Sequence, residues 1–133
     1  MRALFVSVFV SIAAFAPACM AALPPSSELE RCMDAAINEG AMINSHRIDC
    51  LSKELRSQKA RLHHQLSKTS SQLDSSKQKL LRQSQKHWLQ HRHAWCRYQS
   101  AFSETAPMPA AKRLLCEIEM TADRARDLEQ HKE

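Results

Sequence analysis

Downstream of residue 26 the apolar side chains recur at three- and four-residue spacing, the signature of helices with one buried face. Leu29, Cys32, Met33, Ala36 and Ile37 mark a first helix that opens with Ser27-Glu28-Leu29-Glu30 as a capping box, runs to Glu39 and stops at Gly40. After a connection over 41–44, a second helix opens near Ser45, with Ile48, Leu51, Leu55, Leu62 and Leu66 as its buried stripe. Six of the ten residues from Ser67 to Ser76 are Ser or Thr, which places a turn or a weakened helix there. The alternative is one continuous helix of about 55 residues, some 80 Å long, which could not bury its leucines against itself. A third helix over about Asp74–Ser100 carries Leu80 and Leu81, and the seven-residue repeat Leu81, Trp88, Trp95 predicts that these three share one face. Ala106-Pro107-Met108-Pro109 breaks the chain. A fourth helix from Ala110 to about Gln130 presents Leu114, Leu115, Ile118, Thr121, Ala125 and Leu128. The fold class expected is all-α: disulfide-linked helical hairpins forming a small four-helix arrangement.

Composition narrows this further. With a single glycine in 133 residues, glycine-rich phosphate loops and the tight hairpins of small β proteins are excluded. No proline falls between Pro25 and Pro107, which leaves room for long helices. The amino-terminal segment has its own character: Met1-Arg2, then an uncharged apolar run to Ala16, then small residues through Ala22. This is the layout of a secretory signal peptide over 1–22, followed by one domain over 23–133. The apolar run is shorter than the roughly 20 residues that span a bilayer. Cys19 after Ala16-Pro17-Ala18 offers a lipid anchor as the minority alternative. A periplasmic or secreted location follows.

Removing that leader leaves Cys32, Cys50, Cys96 and Cys116, an even number suited to two disulfides in an oxidising compartment. Four cysteines permit three connectivities. Cys32 and Cys50 stand at similar distances from Gly40, and Cys96 and Cys116 stand equally far from Ala106. In antiparallel hairpins residues equidistant from the turn lie at one height, so Cys32 with Cys50 and Cys96 with Cys116 is the natural pairing.

Charge is segregated. Residues 26–52 carry a net −3, residues 53–97 a net +9 and residues 104–133 a net −2. One reading is acidic outer helices packed beside basic central ones. The other is a basic surface, from Lys53, Arg56, Lys59, Arg61, Lys77, Lys79, Arg82 and Lys86, that attracts an anionic partner. Nucleic acid is not expected, since no groove-reading motif is present. His87 and His91, four apart on one helical face, are weak metal candidates and raise the alternative of a periplasmic metal-binding protein; an envelope adaptor or chaperone-like module is another. Neither H-E-x-x-H nor G-x-S-x-G occurs, and neither an enzyme nor a cofactor is expected.

Gln85, Trp88, Arg92 and Cys96, followed by Cys116 and then Thr121, Arg124 and Leu128, resemble the pattern Q-x-x-W-x-x-x-R-x-x-x-C, a later Cys and T-x-x-R-x-x-x-L of LprI-type lysozyme inhibitors. Cys32 and Cys50 resemble that family's amino-terminal cysteine pair, so the resemblance spans essentially the whole domain. It implies a small exported helical protein that binds lysozyme and protects peptidoglycan. Gln85, Trp88, Arg92 and Cys96 fall on a single helical stripe, so these residues are expected to be scaffold, with Arg92 pairing to Glu117 or Asp123 and Arg124 reaching back to the third or first helix. Animal lysozymes are commonly basic, so the contact is expected through acids of the outer helices: Glu28, Glu30, Asp34, Glu117, Glu119 or Asp123.

Overall fold

The computed structural model describes residues 26–38, 43–102 and 108–130, and these form four helices: α1 (Ser27–Asn38), α2 (Ile43–Ser71), α3 (Ser75–Ser100) and α4 (Met108–Gln130). The expected leader over 1–22, Cys19 and the turn at Gly40 lie outside the described residues. So do Ala106 and Pro107.

The amino-terminal cap differs from the expected one. Ser26, not Ser27, accepts from the Leu29 backbone N–H at 3.1 Å, and its hydroxyl donates to Glu54 Oε2 at 2.6 Å. The register is set by this second contact: a serine one residue earlier can cap α1 and tie it to α2 at once, so Glu30 does not serve as the third residue of a capping box. Glu54 is buried and also accepts from Gln58 Nε2 at 2.8 Å.

α2 begins at Ile43, two residues before the expected start, and runs 29 residues, about 43 Å. The Ser/Thr-rich stretch stays helical as far as Ser71, and the chain then reverses within Gln72–Asp74. Asp74 sits in extended conformation and accepts from the backbone N–H groups of Ser76 and Lys77 at 2.9 and 3.0 Å, which starts α3. Gln78 Nε2 donates to the carbonyls of Ser70 and Leu73, both at 3.0 Å, and locks the turn. α4 takes Pro109 into its first turn, where the missing N–H costs no helical hydrogen bond.

Both disulfides join the cysteines expected from the turn symmetry. Cys32–Cys50 ties α1 to α2 and Cys96–Cys116 ties α3 to α4. α4 is the organising element: it packs along α2 and along α3, while α1 packs on α2. α2 and α3 diverge from their turn and barely meet. α4 fills one side of the wedge between them, antiparallel to α3 and parallel to α2. One apolar cluster joins Leu29 of α1, Cys50, Leu51 and Leu55 of α2, and Ala111 and Ile118 of α4. A second joins Leu62 with Ala125 and Leu128, with Leu66, Leu81 and Trp88 packed against it. Alanines at 111, 122 and 125 are buried and let α4 approach α2 closely.

The heptad reading of α3 needs one correction. Leu81 and Trp88 face the core, but Trp95 is 43% exposed. An α-helix drifts about 20° per heptad, so two heptads carry Trp95 off the buried stripe. Its inward place is taken by Arg92 and Cys96. Leu115, expected on the stripe of α4, is exposed, as is Leu80.

Candidate binding surfaces

The motif residues form a ladder that docks α3 on α4. At one end Arg124 donates through Nε to Gln85 Oε1 at 3.4 Å and through Nη2 to the Ser84 hydroxyl at 3.1 Å. Trp88 then packs against the cluster that contains Leu128. Next, buried Arg92 donates through Nη1 to the Thr121 hydroxyl at 2.8 Å, and that hydroxyl donates to the Glu117 carbonyl at 2.5 Å. The Arg92 guanidinium carbon lies 5.1 Å from the Trp88 ring centroid, a cation–π contact. The Cys96–Cys116 bridge closes the ladder, with Met120 Sδ 3.7 Å from Cys96 Sγ.

Arg92 therefore pairs with Thr121 rather than forming the expected ion pair with Glu117 or Asp123. Burial lowers its pKa from the ordinary arginine value, and the nearby negative charge of Glu117 opposes that shift. Glu117 is itself buried, and its carboxylate faces Arg113 at 3.7 Å. Asp123 pairs with Arg126 on its own helix. Arg124 reaches α3, one of the two destinations expected for it.

The acids proposed from sequence as a contact surface are spread over two helices. Glu28, Glu30 and Asp34 are exposed on α1, and Glu119 and Asp123 are exposed on α4. Glu117 is not accessible with them. Sequence reasoning missed Asp127, which with Glu119 and Asp123 forms an i, i+4, i+8 ridge on the side of α4 opposite its buried residues. That spacing was readable. Between α1 and α2, Glu28, Arg31, His46 and Lys53 rim a cavity of about 410 Å³ floored by the Cys32–Cys50 bridge.

A second unforeseen feature is an aromatic stripe on α3. His91 stacks on Trp95 with ring centroids 6.3 Å apart, Trp95 on Tyr98 at 5.7 Å, and Tyr98 meets Phe102 edge-on at 5.0 Å. Trp95, Tyr98 and Phe102 are 43%, 57% and 65% exposed. The signal was the 91, 95, 98, 102 spacing, one stripe of a helix, obscured by grouping Trp95 with Leu81 and Trp88. His87 and His91 are both exposed, and among the described residues no group of three or more His, Cys, Asp or Glu side chains is placed to hold a metal ion. No helix among them is long and apolar enough to cross a membrane.

These features define a small all-α domain, cross-linked by two disulfides, whose most distinctive polar residues serve to dock one helix on another. Residues 19–128 match the family model of the lysozyme inhibitor LprI, and the chain belongs to that family. No curated protein and no solved structure matches it.

Proposed function

We propose that this protein is an exported inhibitor of lysozyme that protects peptidoglycan by binding the enzyme. The family match carries the reading, because it covers both bridges, α1 to α3 and all but the last two residues of α4. Two disulfides suit a periplasmic or extracellular location, outside the reducing cytoplasm. The protein acts by binding, and no cofactor takes part.

The inhibitory surface we propose is acidic. Glu119, Asp123 and Asp127 stand on the outer ridge of α4, and Glu30 and Asp34 stand one turn apart on α1. A basic enzyme approaching such a ridge is steered by long-range attraction, and the rate of association rises accordingly. The ladder from Gln85 to Cys96 holds α4 in place and does not itself meet the enzyme, since Arg92 and Cys96 are buried and Arg124 is engaged with α3.

The test is lysis of bacterial cell walls by a basic animal lysozyme, measured with and without purified residues 23–133 in the oxidised state. Inhibition that saturates at a one-to-one ratio supports the reading. Unchanged lysis at high micromolar protein overturns it.

A further inference from the structure

The divergence of α2 and α3 leaves an open groove on the wedge face that α4 does not fill. It has a volume of about 810 Å³ and no α4 residue in its lining. Leu66, Leu81 and Leu89 form its apolar part, Arg82, Lys86 and His63 contribute the basic groups, and serines and glutamines complete the walls. Among the described residues no carboxylate lines it. Leu66 and Leu81 are the outward sides of residues that pack on the Leu62, Ala125 and Leu128 cluster, so the groove floor is the back of the core.

From this geometry we infer that the groove docks an amphipathic helix of a protein partner, with a leucine-type seam flanked by acidic residues. Two observations specify the occupant. The first is shape. α2 and α3 barely meet, and α4 lies against both, as three helices of a four-helix bundle do when two of them are diagonal. Among the described residues no helix stands at the fourth corner, and the groove lies there. Along α3 it extends from Gln78 to Gln90, about 18 Å or just over three helical turns. That length and an apolar floor suit a helix laid in a groove. The second observation is charge. Arg82 and Lys86 are exposed one turn apart, and Arg97 continues the same side of α3. The basic centre of the chain thereby gains a role that the acidic ridge of α4 does not supply. This inference stands apart from the lysozyme reading, because it concerns a different surface and a partner of opposite charge.

The experiment uses the oxidised protein and two labelled synthetic helices with one leucine seam, one flanked by glutamates and the other by lysines. Fluorescence anisotropy near physiological salt should show the acidic helix binding at least about tenfold more tightly than the basic one. Arg82→Glu with Lys86→Glu should reverse that preference, and Leu89→Ala should weaken binding severalfold. All three side chains are exposed, so helix content by circular dichroism should stay unchanged. Equal binding of the two helices, or a preference that survives charge reversal, overturns the inference. Association with phosphatidylglycerol vesicles but with neither helix also overturns it, and assigns the groove to lipid. Lysozyme inhibition by the charge-reversed protein should match wild type, which separates failure of this inference from failure of the inhibitor reading.

Discussion

Arg92 and Thr121 form a buried polar link between α3 and α4, at 2.8 Å, and the guanidinium is shielded from water by the same helices that it joins. Arg92 Nε finds no protein partner there, so the Thr121 hydroxyl, the Trp88 face and the field of Glu117 are what offset its desolvation. Such a residue is costly to bury and more costly to leave unpaired. Arg92→Ala should therefore destabilise the fold by about 3 kcal/mol, and Thr121→Val by about 1 to 2 kcal/mol, because the valine leaves a buried N–H without an acceptor. The double variant should lose less than the sum, as partners in contact do. Urea unfolding of the four proteins measures this. Additive losses would show that Thr121 is not what holds Arg92.

The two disulfides should act on different parts of the fold. Each closes a short loop and is worth about 2 to 4 kcal/mol. Beyond its bridge, α1 is held by Leu29, Met33 and the Ser26–Glu54 hydrogen bond, all directed at the α2 side of the molecule. Replacing Cys32 and Cys50 by serine should thus free α1 while α2, α3 and α4 stay folded. Replacing Cys96 and Cys116 should lower global stability, because α4 supports both apolar clusters. Hydrogen exchange resolves the two cases: rapid exchange confined to 27–38 in the first, and faster exchange across α3 and α4 in the second.

Much of this arrangement was legible from local pattern. Leucine spacing on α2 and most of the stripe on α4 told which faces are buried, whereas the cap role of Asp74, a short acceptor before a helical run, was not singled out although its type and place fit it. Cysteine distances from the turns named the bridges, since height along a hairpin is fixed by helical rise. Other features depend on tertiary choice. A stripe on α2 does not say whether it meets α3 or α4, so the open wedge was invisible. The buried positions of Arg92, Glu54 and Glu117 were hidden for a related reason. Charged side chains read as surface unless the partner that receives them is known. Of the candidate contact acids, five proved exposed and one, Glu117, did not.

Asp74 gives the fold a defined acid response. Its backbone hydrogen bond from Lys77 is the largest cause of a pKa below the ordinary 3.8, with the Ser76 amide and the Lys77 charge acting in the same direction. A carboxylate whose folded pKa is depressed stabilises the fold fully above its unfolded pKa, and that contribution fades as pH falls through the folded value. Asp74→Asn retains an acceptor for the cap but cannot titrate. The stability difference between wild type and Asp74→Asn should be constant from neutral pH to about 5 and should shrink below the ordinary carboxylate value. Thermal unfolding at stepped pH reads this directly. A difference that is flat through pH 2 to 3 would remove Asp74 from the acid response.

If the acidic ridge of α4 meets lysozyme, its neutralisation should act on encounter more than on residence. Glu119→Gln with Asp123→Asn and Asp127→Asn should reduce the association rate about tenfold at low salt, and flatten its dependence on ionic strength, with little change in dissociation. Stability should move by less than about 1 kcal/mol, since all three side chains are exposed and Asp123–Arg126 is a surface pair. Glu117→Gln is the control, because its carboxylate is buried beside Arg113 and does not present charge to a partner. Stopped-flow association with lysozyme distinguishes the variants. Equal salt dependence in wild type and the triple variant would move the contact away from α4.

Trp88 and Trp95 sit seven residues apart on the same helix and should answer differently to the same truncation. Trp88 packs against Leu62, Ala125 and Leu128 and lies beside Arg92, so Trp88→Ala removes a wall of the second apolar cluster and the cation–π partner of the arginine. A loss of about 3 kcal/mol or more is expected, with the unfolding midpoint lowered and the slope unchanged. Trp95 touches His91 and Tyr98 on an exposed stripe, so Trp95→Ala should cost less than about 1 kcal/mol. Intrinsic fluorescence gives an independent reading. The spectrum of Trp95→Ala, which reports Trp88 alone, should be blue-shifted relative to that of Trp88→Ala, because Trp88 is the more shielded ring. Equal stability losses in the two variants would mean that the heptad face, with Trp95 included, is the buried one after all.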